Sequence, residues 1–471
     1  MSTTHPADAL REGFSGPVLE PGQPGYDEAR RVFNGMIDRR PAVIAQCGTT
    51  ADVVAAVNTA REHRLAVAVR CGGHSFPGLG TCDDGMVIDL RGLKPITVDP
   101  QARTARAGGG VLWGEFDAAT QAHGLHTPGG RVTTTGLGGF TTGGGYGWTS
   151  SKYGLACDNL ISAEVVLADG SVVRASEEEH ADLFWGIRGG GGNFGIVTEF
   201  RFRLHRLGPI VLAGLAMFPI DRAPEVLRDW RDWADAAPDE VSTGCAVIIA
   251  PPEEFVPPQL RGQPVLGVPV LYVGDPEAGA GVVRPVKDLG PAVDLIGPMP
   301  YTAFQAALDP LAPWGTGGGF YARGEYMPGL SDDAIDTFLT RATDLVTLSP
   351  PFSQMVIFRI GQAVAAVPGE ATAFSHRDAS YLFHPITAWL DPAGEERMIA
   401  ATRAFAAAMR PFSTGASYLN FTHEADRVRD AYGDHKYARL VALKDTYDPA
   451  NLFRLNQNIR PSHSAAEPAL T

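Results

Sequence analysis

A histidine lies within a glycine-rich segment, Val69–Gly78, which reads VRCGGHSFPG and follows the strand-like run Leu65–Val69. Consecutive glycines allow backbone N–H groups to converge on an anion, because no Cβ blocks a close approach. A diphosphate is a natural occupant of such a loop. Taken alone, the segment also fits a tight turn with close strand packing, and His74 also fits an ordinary surface or core histidine.

Two more glycine clusters follow along the chain. The segment Gly129–Gly147 contains nine glycines in 19 residues with threonines between them, and Gly186–Gly195 reads GIRGGGGNFG. Neither matches GxGxxG at the start of a helix in a βαβ unit, nor GxxxxGK[ST]. The spacing therefore excludes the Rossmann and P-loop classes of nucleotide site.

The elements around these clusters are short in the first part of the chain. Residues 1–208 hold 35 of the 55 glycines in 44% of the length. A helix is predicted at Thr50–His63, beginning at an N-cap threonine, with valines and an alanine on one face. Short β-branched runs alternate with the glycine-rich connections: Met86–Leu90, Ile161–Leu167 and Gly195–Phe200. This pattern predicts an α+β unit rich in tight turns.

From about residue 209 the pattern changes to longer amphipathic helices interleaved with strand-like runs. The predicted helices are Ala223–Ala236, Ser331–Thr347 and Pro392–Met409. The predicted strands are Thr243–Ala250, Val265–Val273, Gly319–Tyr326, Gln354–Val367 and Ser380–Trp389. This order favours a mostly antiparallel sheet covered on one face by helices.

After about residue 411 comes a third, short segment, which contains Tyr447–Phe453 and Asn456–Ile459. We find no internal repeat. The composition thus divides the chain into a glycine-rich first part, a central part and a C-terminal segment.

Composition and charge exclude several classes of function. Lys and Arg number 39 against 53 Asp and Glu, a net charge of −14, and no basic run stands out, which argues against a nucleic-acid partner. No stretch of 18 apolar residues exists and the N-terminus lacks a signal-like apolar core, so we expect a cytoplasmic protein without a membrane partner. The five cysteines form no CxxC pair and indicate neither a disulfide framework nor a metal cluster.

Several motifs, in this order along the chain, resemble those of the berberine bridge enzyme-like flavoproteins of the vanillyl-alcohol oxidase/PCMH superfamily. They are Arg70–Ser75, Thr134–Gly147, Tyr153–Asn159, Trp185–Val197, Tyr418–Phe421 and Asn456–Ile459. The resemblance covers nearly the whole chain. It implies an FAD-binding domain of two α+β subdomains, residues 1–208 completed by 411–471, and a substrate domain at 209–410.

The resemblance also implies how FAD is held. The loop Arg70–Ser75 would wrap the diphosphate, and His74 would bond covalently to the 8α-methyl of the flavin. Many relatives have a second link through a cysteine, but the matching residue is Val132, so we expect a single link and a lower flavin potential. The other implied FAD contacts are Arg70, Cys71, Gly72, Gly73, Ser75, Thr134, Thr135, Gly136, Gly139, Thr142, Gly143, Ile196, Val197, Asn456 and Asn458.

Thr135 stands where relatives place a valine or leucine beside the flavin edge that controls oxygen access. A small polar side chain there does not block O2, and it leaves open a reaction in which a flavin–oxygen adduct oxygenates the substrate. Alternatively, the Thr135 hydroxyl only bonds the backbone of a turn.

Tyr418 matches the tyrosine of the Tyr-x-Asn motif of the family, which often serves as the base above the flavin. Asn420 would follow on the same strand face by the two-residue period. Because an unperturbed tyrosine has a pKa near ~10, its neighbours would have to lower that pKa. Alternatively, Tyr418 only hydrogen-bonds the substrate.

Candidate residues in the substrate domain come from strand alternation and from position. In Phe320–Tyr326 the alternation places Tyr321, Arg323 and Glu325 on one face, as candidate substrate contacts. His384 stands where relatives often have a glutamine that lines the site. Polar residues on one strand face are also commonly just exposed to solvent.

These observations predict an FAD-dependent oxidase, a monomer or homodimer, that takes a hydride from a small or medium-sized, secondary-metabolite-like substrate and uses O2 as acceptor, giving H2O2. Two alternatives stay open. One is a flavin-dependent oxygenase or oxidative cyclase using the same site, and the other is a flavin-binding protein without turnover. Retention of His74, Tyr418 and Asn420 together argues against the last.

Overall fold

The computed structural model of the chain describes residues 5–348, 351–424 and 427–463. Within them lie sheets of four, five and nine strands and a two-stranded ribbon. Helices pack between and upon these sheets. The predicted α+β class is confirmed.

The four-stranded sheet carries the first glycine loop at the end of one of its strands. Its elements are α1 (Pro6–Arg11), β1 (Val18–Leu19), α2 (Tyr26–Ala29), β2 (Val43–Gln46), α3 (Thr50–His63), β3 (Val67–Arg70) and β4 (Met86–Asp89). β4 pairs in parallel with both β2 and β3. Helix α3 has the predicted bounds, but its N-cap is Thr49, because the Thr49 side chain accepts the Asp52 N–H.

The five-stranded sheet is antiparallel, with strand order β5-β6-β10-β8-β9, and β7 pairs with β11 beside it. The elements are β5 (Ile96–Asp99), β6 (Thr104–Gly108), α4 (Trp113–Gln121), β7 (Leu125–His126), α5 (Leu137–Thr142), α6 (Ser150–Tyr153), β8 (Leu160–Val166), β9 (Val172–Ser176), α7 (Ala181–Ile187), β10 (Ile196–Arg203) and β11 (His205–Arg206). Its aromatic core includes Trp113, Phe116, Phe200 and Phe202.

The nine-stranded sheet is antiparallel throughout, with order β15-β12-β14-β13-β19-β20-β17, while β16 pairs with β12 and β18 with β20. Its elements are β12 (Ile210–Pro219), α8 (Ala223–Ala236), β13 (Val241–Ile249), β14 (Pro264–Tyr272), α9 (Pro276–Asp288), β15 (Val293–Asp294), β16 (Gly297–Pro300), α10 (Tyr301–Gln305), β17 (Gly319–Ala322), β18 (Glu325–Met327), α11 (Asp332–Leu348), β19 (Gln354–Arg359), α12 (Gln362–Ala366), β20 (Tyr381–Trp389) and α13 (Glu395–Met409).

The two faces of this sheet have different neighbours, because side chains alternate along each strand. Ile357 and Phe383 share a core with Phe338 of α11 and Phe405 of α13. On the opposite face, Val356 and Phe358 of β19 line a cavity, as does His384 of β20. The predicted antiparallel sheet with helices on one face is confirmed.

Two predicted strands are wrong in their extent. The run Gly319–Tyr326 is broken into β17 and β18, because the carbonyl of Gly324 accepts the N–H of Tyr418 and the chain at Phe421 packs against Gly324. The run Gln354–Val367 ends as a strand at Arg359, and α12 follows.

The C-terminal segment returns to the five-stranded sheet. Helix α14 (Val428–Tyr447) is interrupted at Gly433, where φ is +71°. Leu440 and Leu443 of α14 pack into the core that contains α7. The chain then continues along the third glycine cluster to residue 463, the last one described.

Candidate active site

A cavity of about 400 Å³ lies where the glycine clusters meet the second face of the nine-stranded sheet. All three clusters line it, together with the chain around Asn456 and with β17, β19 and β20. Among the described residues that line the cavity, none is an aspartate or glutamate. The folding of distant segments therefore brings the three clusters to one place.

The first glycine loop leaves β3 at Arg70. The Arg70 guanidinium donates to Asp89 at 2.6 Å and to the carbonyl of Arg31 at 3.1 Å. Both members of the Arg70–Asp89 pair are buried. Asp89 thus neutralises the charge of Arg70, and Arg70 holds the loop to β4. Gly73 then turns the chain with φ +71°, a conformation that glycine adopts without strain.

The first and second glycine loops touch backbone to backbone. A Cβ on Gly72 would lie 2.2 Å from the backbone nitrogen of Gly136, and a Cβ on Gly136 would lie 2.2 Å from the nitrogen of Gly72. No side chain fits at that distance. Both positions therefore require glycine for the loops to form one wall of the cavity.

His74 is held by a hydrogen-bond partner on the second glycine loop and by an aromatic ring. Its Nε2 lies 2.8 Å from the hydroxyl oxygen of Thr134. Its ring stacks on Phe33, with centroids 4.4 Å apart and planes 16° apart. Burial lowers the pKa of His74 to about 3. The imidazole is therefore neutral at physiological pH and retains a nitrogen lone pair.

The C-terminal segment brings amide oxygens to the cavity. The side-chain oxygens of Asn456, Gln457 and Asn458 are buried and have no hydrogen-bond partner among the described residues. Nearby, a Cβ on Gly139 or Gly192 would meet nothing within 4 Å, so the backbone there is open to the cavity. Since buried polar atoms are normally paired, this wall fits a ligand rich in hydrogen-bond donors.

FAD is a ligand of this kind. It has ribityl hydroxyl donors for unpaired amide oxygens, a diphosphate for the glycine-loop N–H groups, and a flat ring system for an apolar cavity. The residues present therefore fit this cofactor.

Tyr418 lies directly behind the cavity and is 2% exposed. Its hydroxyl oxygen accepts the N–H of Gly145 at 3.0 Å, the N–H of Tyr146 at 3.1 Å and the Nδ2–H of Asn420 at 3.1 Å. Burial raises the pKa of Tyr418 to about 12, while these three donors act in the opposite direction. The donors favour the phenolate over the neutral hydroxyl.

The predicted shared strand face of Tyr418 and Asn420 is wrong. Leu419–Phe421 forms a 3₁₀ turn, and this turn, rather than strand alternation, brings the Asn420 amide to the Tyr418 hydroxyl. Asn420 lines the cavity, whereas Tyr418 is not among the lining residues.

His384 lines the cavity and is held in one orientation. Its Nδ1 lies 2.8 Å from the carbonyl oxygen of Arg323. A carbonyl can only accept, so Nδ1 carries the hydrogen and Nε2 is left as an acceptor. The ring stacks on Phe421 with centroids 4.0 Å apart, and burial lowers the pKa of His384 to about 3. The side chain is a neutral hydrogen-bond acceptor.

The structure does not bring Tyr321, Arg323 and Glu325 to the cavity. Tyr321 points into the core under the helices, and its hydroxyl donates to Glu424 at 2.8 Å. Arg323 pairs with Glu424 at 2.5 Å and with Glu325 at 3.0 Å. The alternate face of β17 supplies Phe320 to the cavity instead, so the alternation was right but the inward face was the other one.

The remaining predicted residues divide by whether they line the cavity. Thr134 and Asn458 are not lining residues. The Thr134 hydroxyl nevertheless hydrogen-bonds His74, and the side-chain oxygen of Asn458, two residues after Asn456, is buried. The others line it: Arg70, Cys71, Gly72, Gly73, His74, Ser75, Thr135, Gly136, Gly139, Thr142, Gly143, Ile196, Val197 and Asn456.

Val132 also lines the cavity, and all five cysteines are free thiols. Among the cysteines only Cys71 is a lining residue, and burial raises the pKa of its thiol to about 11. Its sulfur packs against Gly136 between the two glycine loops. Because position 132 is a valine, it offers no thiol for a second link to the flavin.

Sequence reasoning missed several lining residues, of which Arg131 and Phe358 are the most informative. Arg131 is buried, and its guanidinium carbon lies 3.8 Å from the ring centroid of Phe358. The signal for Arg131 was present, because it is the one charged residue within Gly129–Gly147. Phe358 had no comparable signal, since an apolar strand residue reads the same on either face.

Comparison with known protein families gives two matches. Residues 41–176 match the family described as FAD binding domain, and residues 417–460 match the family described as Berberine and berberine like. The first match contains two of the glycine clusters, and the second contains Tyr418, Asn420 and the Asn456–Asn458 amides.

Similar proteins align over nearly the whole chain. An FAD-linked oxidoreductase of Dictyostelium discoideum is 31% identical over 96% of both chains. The (R)-6-hydroxynicotine oxidase of Paenarthrobacter nicotinovorans is 30% identical over 96% of this chain and 98% of its own. The crystal structure of 6-hydroxy-D-nicotine oxidase from Arthrobacter nicotinovorans superposes with a TM-score of 0.85 at 28% identity, covering 96% of this chain and 99% of that one.

Residues 5–348, 351–424 and 427–463 contain no group of three histidine, cysteine or acidic side chains placed to hold a metal ion. Within the same residues, none of the helices combines the length and the apolar character needed to span a membrane.

Proposed function

Because the chain belongs to the berberine bridge enzyme-like FAD-linked oxidoreductases, we propose that it is an oxidase with FAD linked to His74, acting on a small or medium-sized, secondary-metabolite-like molecule. Bound FAD would supply the acceptor for a hydride from a substrate carbon. The substrate loses two hydrogen atoms and O2 becomes H2O2, so atoms and electrons balance.

One observation carries this proposal. A neutral histidine, the unpaired amide oxygens of Asn456 and Gln457, and the Tyr418–Asn420 pair converge around one cavity, although His74 is more than 300 residues away from the others in sequence. The neutral imidazole of His74 has the lone pair that a bond to the flavin 8α carbon requires. A protein that only stored flavin would have no physical need for a proton acceptor at the cavity.

Tyr418 is the proposed acceptor of the substrate proton. The N–H groups of Gly145, Tyr146 and Asn420 all point at its oxygen and oppose the effect of burial, which raises the pKa of Tyr418 to about 12. Bound oxidised flavin would have to lower this pKa for Tyr418 to act as a base near neutral pH. His384, with its free Nε2, is the proposed hydrogen-bond acceptor that orients a substrate O–H or N–H. Thr135 lines the cavity with a small side chain that does not block O2, which supports O2 as the acceptor.

The oxidase is tested with purified holoprotein and a panel of alcohols, amines and phenols. We expect flavin bleaching without oxygen and, in air, one H2O2 for each product molecule. Labelled oxygen from ¹⁸O2 should appear in H2O2 and not in the product. Label in the product would support the oxygenase alternative, and absence of bleaching with every compound would contradict both.

Tyr418→Phe tests the proton acceptor. Loss of a general base should lower kcat by about 100-fold or more and remove the rise of rate with pH that deprotonation of Tyr418 produces. His384→Gln should chiefly raise KM, because the amide can still accept a hydrogen bond. If Tyr418→Phe keeps its full rate at every pH, Tyr418 only binds substrate.

A further inference from the structure

We propose that Arg131 binds a carboxylate of the substrate, so that this enzyme selects anionic molecules with a flat apolar framework. The inference rests on the proposed function and names the substrate class of the same site. It is carried by a buried cation that faces the cavity and has no acidic partner among the described residues.

Arg131 is 8% exposed, and its side chain has few polar partners. One of its terminal nitrogens donates to the carbonyl oxygen of Gly147 at 3.4 Å, and its Nε is buried without a hydrogen-bond partner among the described residues. None of the described carboxylates lies within ion-pairing distance of it. Burial of an unpaired charge is costly, so proteins normally pair it or use it.

Three aromatic rings surround the guanidinium. Its carbon lies 3.8 Å from the ring centroid of Phe358, 4.5 Å from Tyr146 and 4.7 Å from Trp148. Cation–π contacts stabilise the positive charge through the ring faces. They do not satisfy the N–H donors, which lie in the plane of the guanidinium. One donor is used by the carbonyl of Gly147, and the other donors stay available for a planar acceptor.

The place of Arg131 points to substrate. Its backbone belongs to the second glycine cluster, but its guanidinium contacts Phe358 of β19, at the boundary with the substrate sheet. Phe358 and Tyr146 line the same cavity as His384. A ligand group bound there would lie against the strands of the sheet.

The charge balance of the lining supports an anion. The lining residues of the described chain include two arginines and no acidic side chain. Arg70 is paired with Asp89 at 2.6 Å, whereas Arg131 has no counterion among the residues that the structure describes. A carboxylate matches the guanidinium fork with two parallel hydrogen bonds. The same charge would repel a protonated amine.

The test uses calorimetric titration of the flavin-loaded protein with three probes of similar shape: 2-naphthoate, 2-naphthamide and 2-naphthylmethylammonium. We expect 2-naphthoate to bind at least 10-fold more tightly than the amide and the ammonium probe to bind most weakly. Arg131→Met should abolish the preference for naphthoate over naphthamide. Arg131→Lys keeps the charge without the fork and should weaken naphthoate alone.

Arg284→Met serves as the control, because Arg284 is exposed on α9 and its removal changes the net charge equally. It should leave all three affinities unchanged. Equal affinity of the wild-type protein for naphthoate and naphthamide would overturn the proposal. So would loss of flavin from both Arg131 variants, which would make the residue a cofactor ligand.

The proposal would also be overturned if an Arg131 variant changed the pH–rate profile but kept the preference for naphthoate, since Arg131 would then act on Tyr418. If Arg131→Met does not fold, Arg131→Lys decides the question. An equal loss of affinity for naphthoate and naphthamide in that variant would contradict carboxylate binding. Failure of the proposed function would be seen separately, as protein without flavin or as no peroxide from any compound. The titration itself needs no turnover.

Discussion

His74 and His384 show how burial sets the state of single residues in this cavity. Burial lowers the pKa of each to about 3, so both imidazoles are neutral at working pH. Their partners differ. Thr134 can donate to or accept from His74, whereas the carbonyl of Arg323 fixes the hydrogen of His384 on Nδ1. His74 is thus suited to form a covalent bond through a nitrogen lone pair. His384 is suited to accept a hydrogen bond at Nε2.

His74→Ala should yield a protein that releases its flavin when it is denatured in acid, because no other lining residue is proposed to hold the 8α carbon. The measurement is flavin absorbance in the precipitate together with the mass of the peptide containing residue 74. His384→Gln is the matched control and should keep the flavin attached. A flavin-bearing precipitate from His74→Ala would contradict the link.

Elements of the C-terminal segment are fastened to the third glycine cluster by two buried side chains. Lys444 of α14 donates to the carbonyls of Asn193 and Phe453 and pairs with Asp448 at 2.8 Å. Asn193 donates to the carbonyl of Gln457 and accepts the N–H of Ile459. These bonds place the amides of Asn456 and Gln457 at the cavity wall.

Lys444→Met should lower the free energy of unfolding by about 3–5 kcal/mol, because it leaves Asp448 buried without its partner. It should also lower the fraction of protein that retains FAD. Denaturant unfolding and the ratio of flavin to protein absorbance measure the two effects. Arg429→Met is the control on the same helix, since its pair with Asp434 is exposed and should contribute less than about 1 kcal/mol. Equal losses in both variants would contradict this role.

At the scale of the whole molecule, buried neutral histidines make stability depend on pH. The pKa of His384 is lowered to about 3 and that of His205 to about 4, against about 6.5 in an unfolded chain. The unfolded chain therefore takes up protons first as the pH falls. The stability that these residues provide is complete above about pH 6.5 and is lost below it.

We expect the free energy of unfolding to fall between pH 6.5 and about 4, with a slope of up to about 1.4 kcal/mol per pH unit for the buried His384 and less for the half-buried His205. Carboxylates such as Asp38, whose pKa is lowered by Arg30, add their loss only below about pH 4. Chemical denaturation across this range measures the slope. His384→Gln and His205→Gln should each reduce this slope, by at most the contribution of one proton. An unchanged slope in both variants would contradict the assignment of the pH dependence to these two histidines.

The sequence by itself determined the family, the α+β class and many of the residues that line the cavity, because these depend on local motifs. Glycine at positions 72 and 136 is required by the close approach of the two loops, and such a requirement is visible in the residues themselves. Helix α8 and strand β20 were likewise close to their predicted bounds, since amphipathic and β-branched patterns are local.

Only the tertiary structure decided which face of each strand meets the cavity. Alternation separates Phe320 from Tyr321 but is symmetric between the two faces, so Tyr321, Arg323 and Glu325 were placed on the wrong side. It likewise decided that none of the described carboxylates pairs with Arg131, because the partner of a charge depends on segments that are distant in sequence. Packing between distant elements, rather than any local pattern, determines what the substrate will meet.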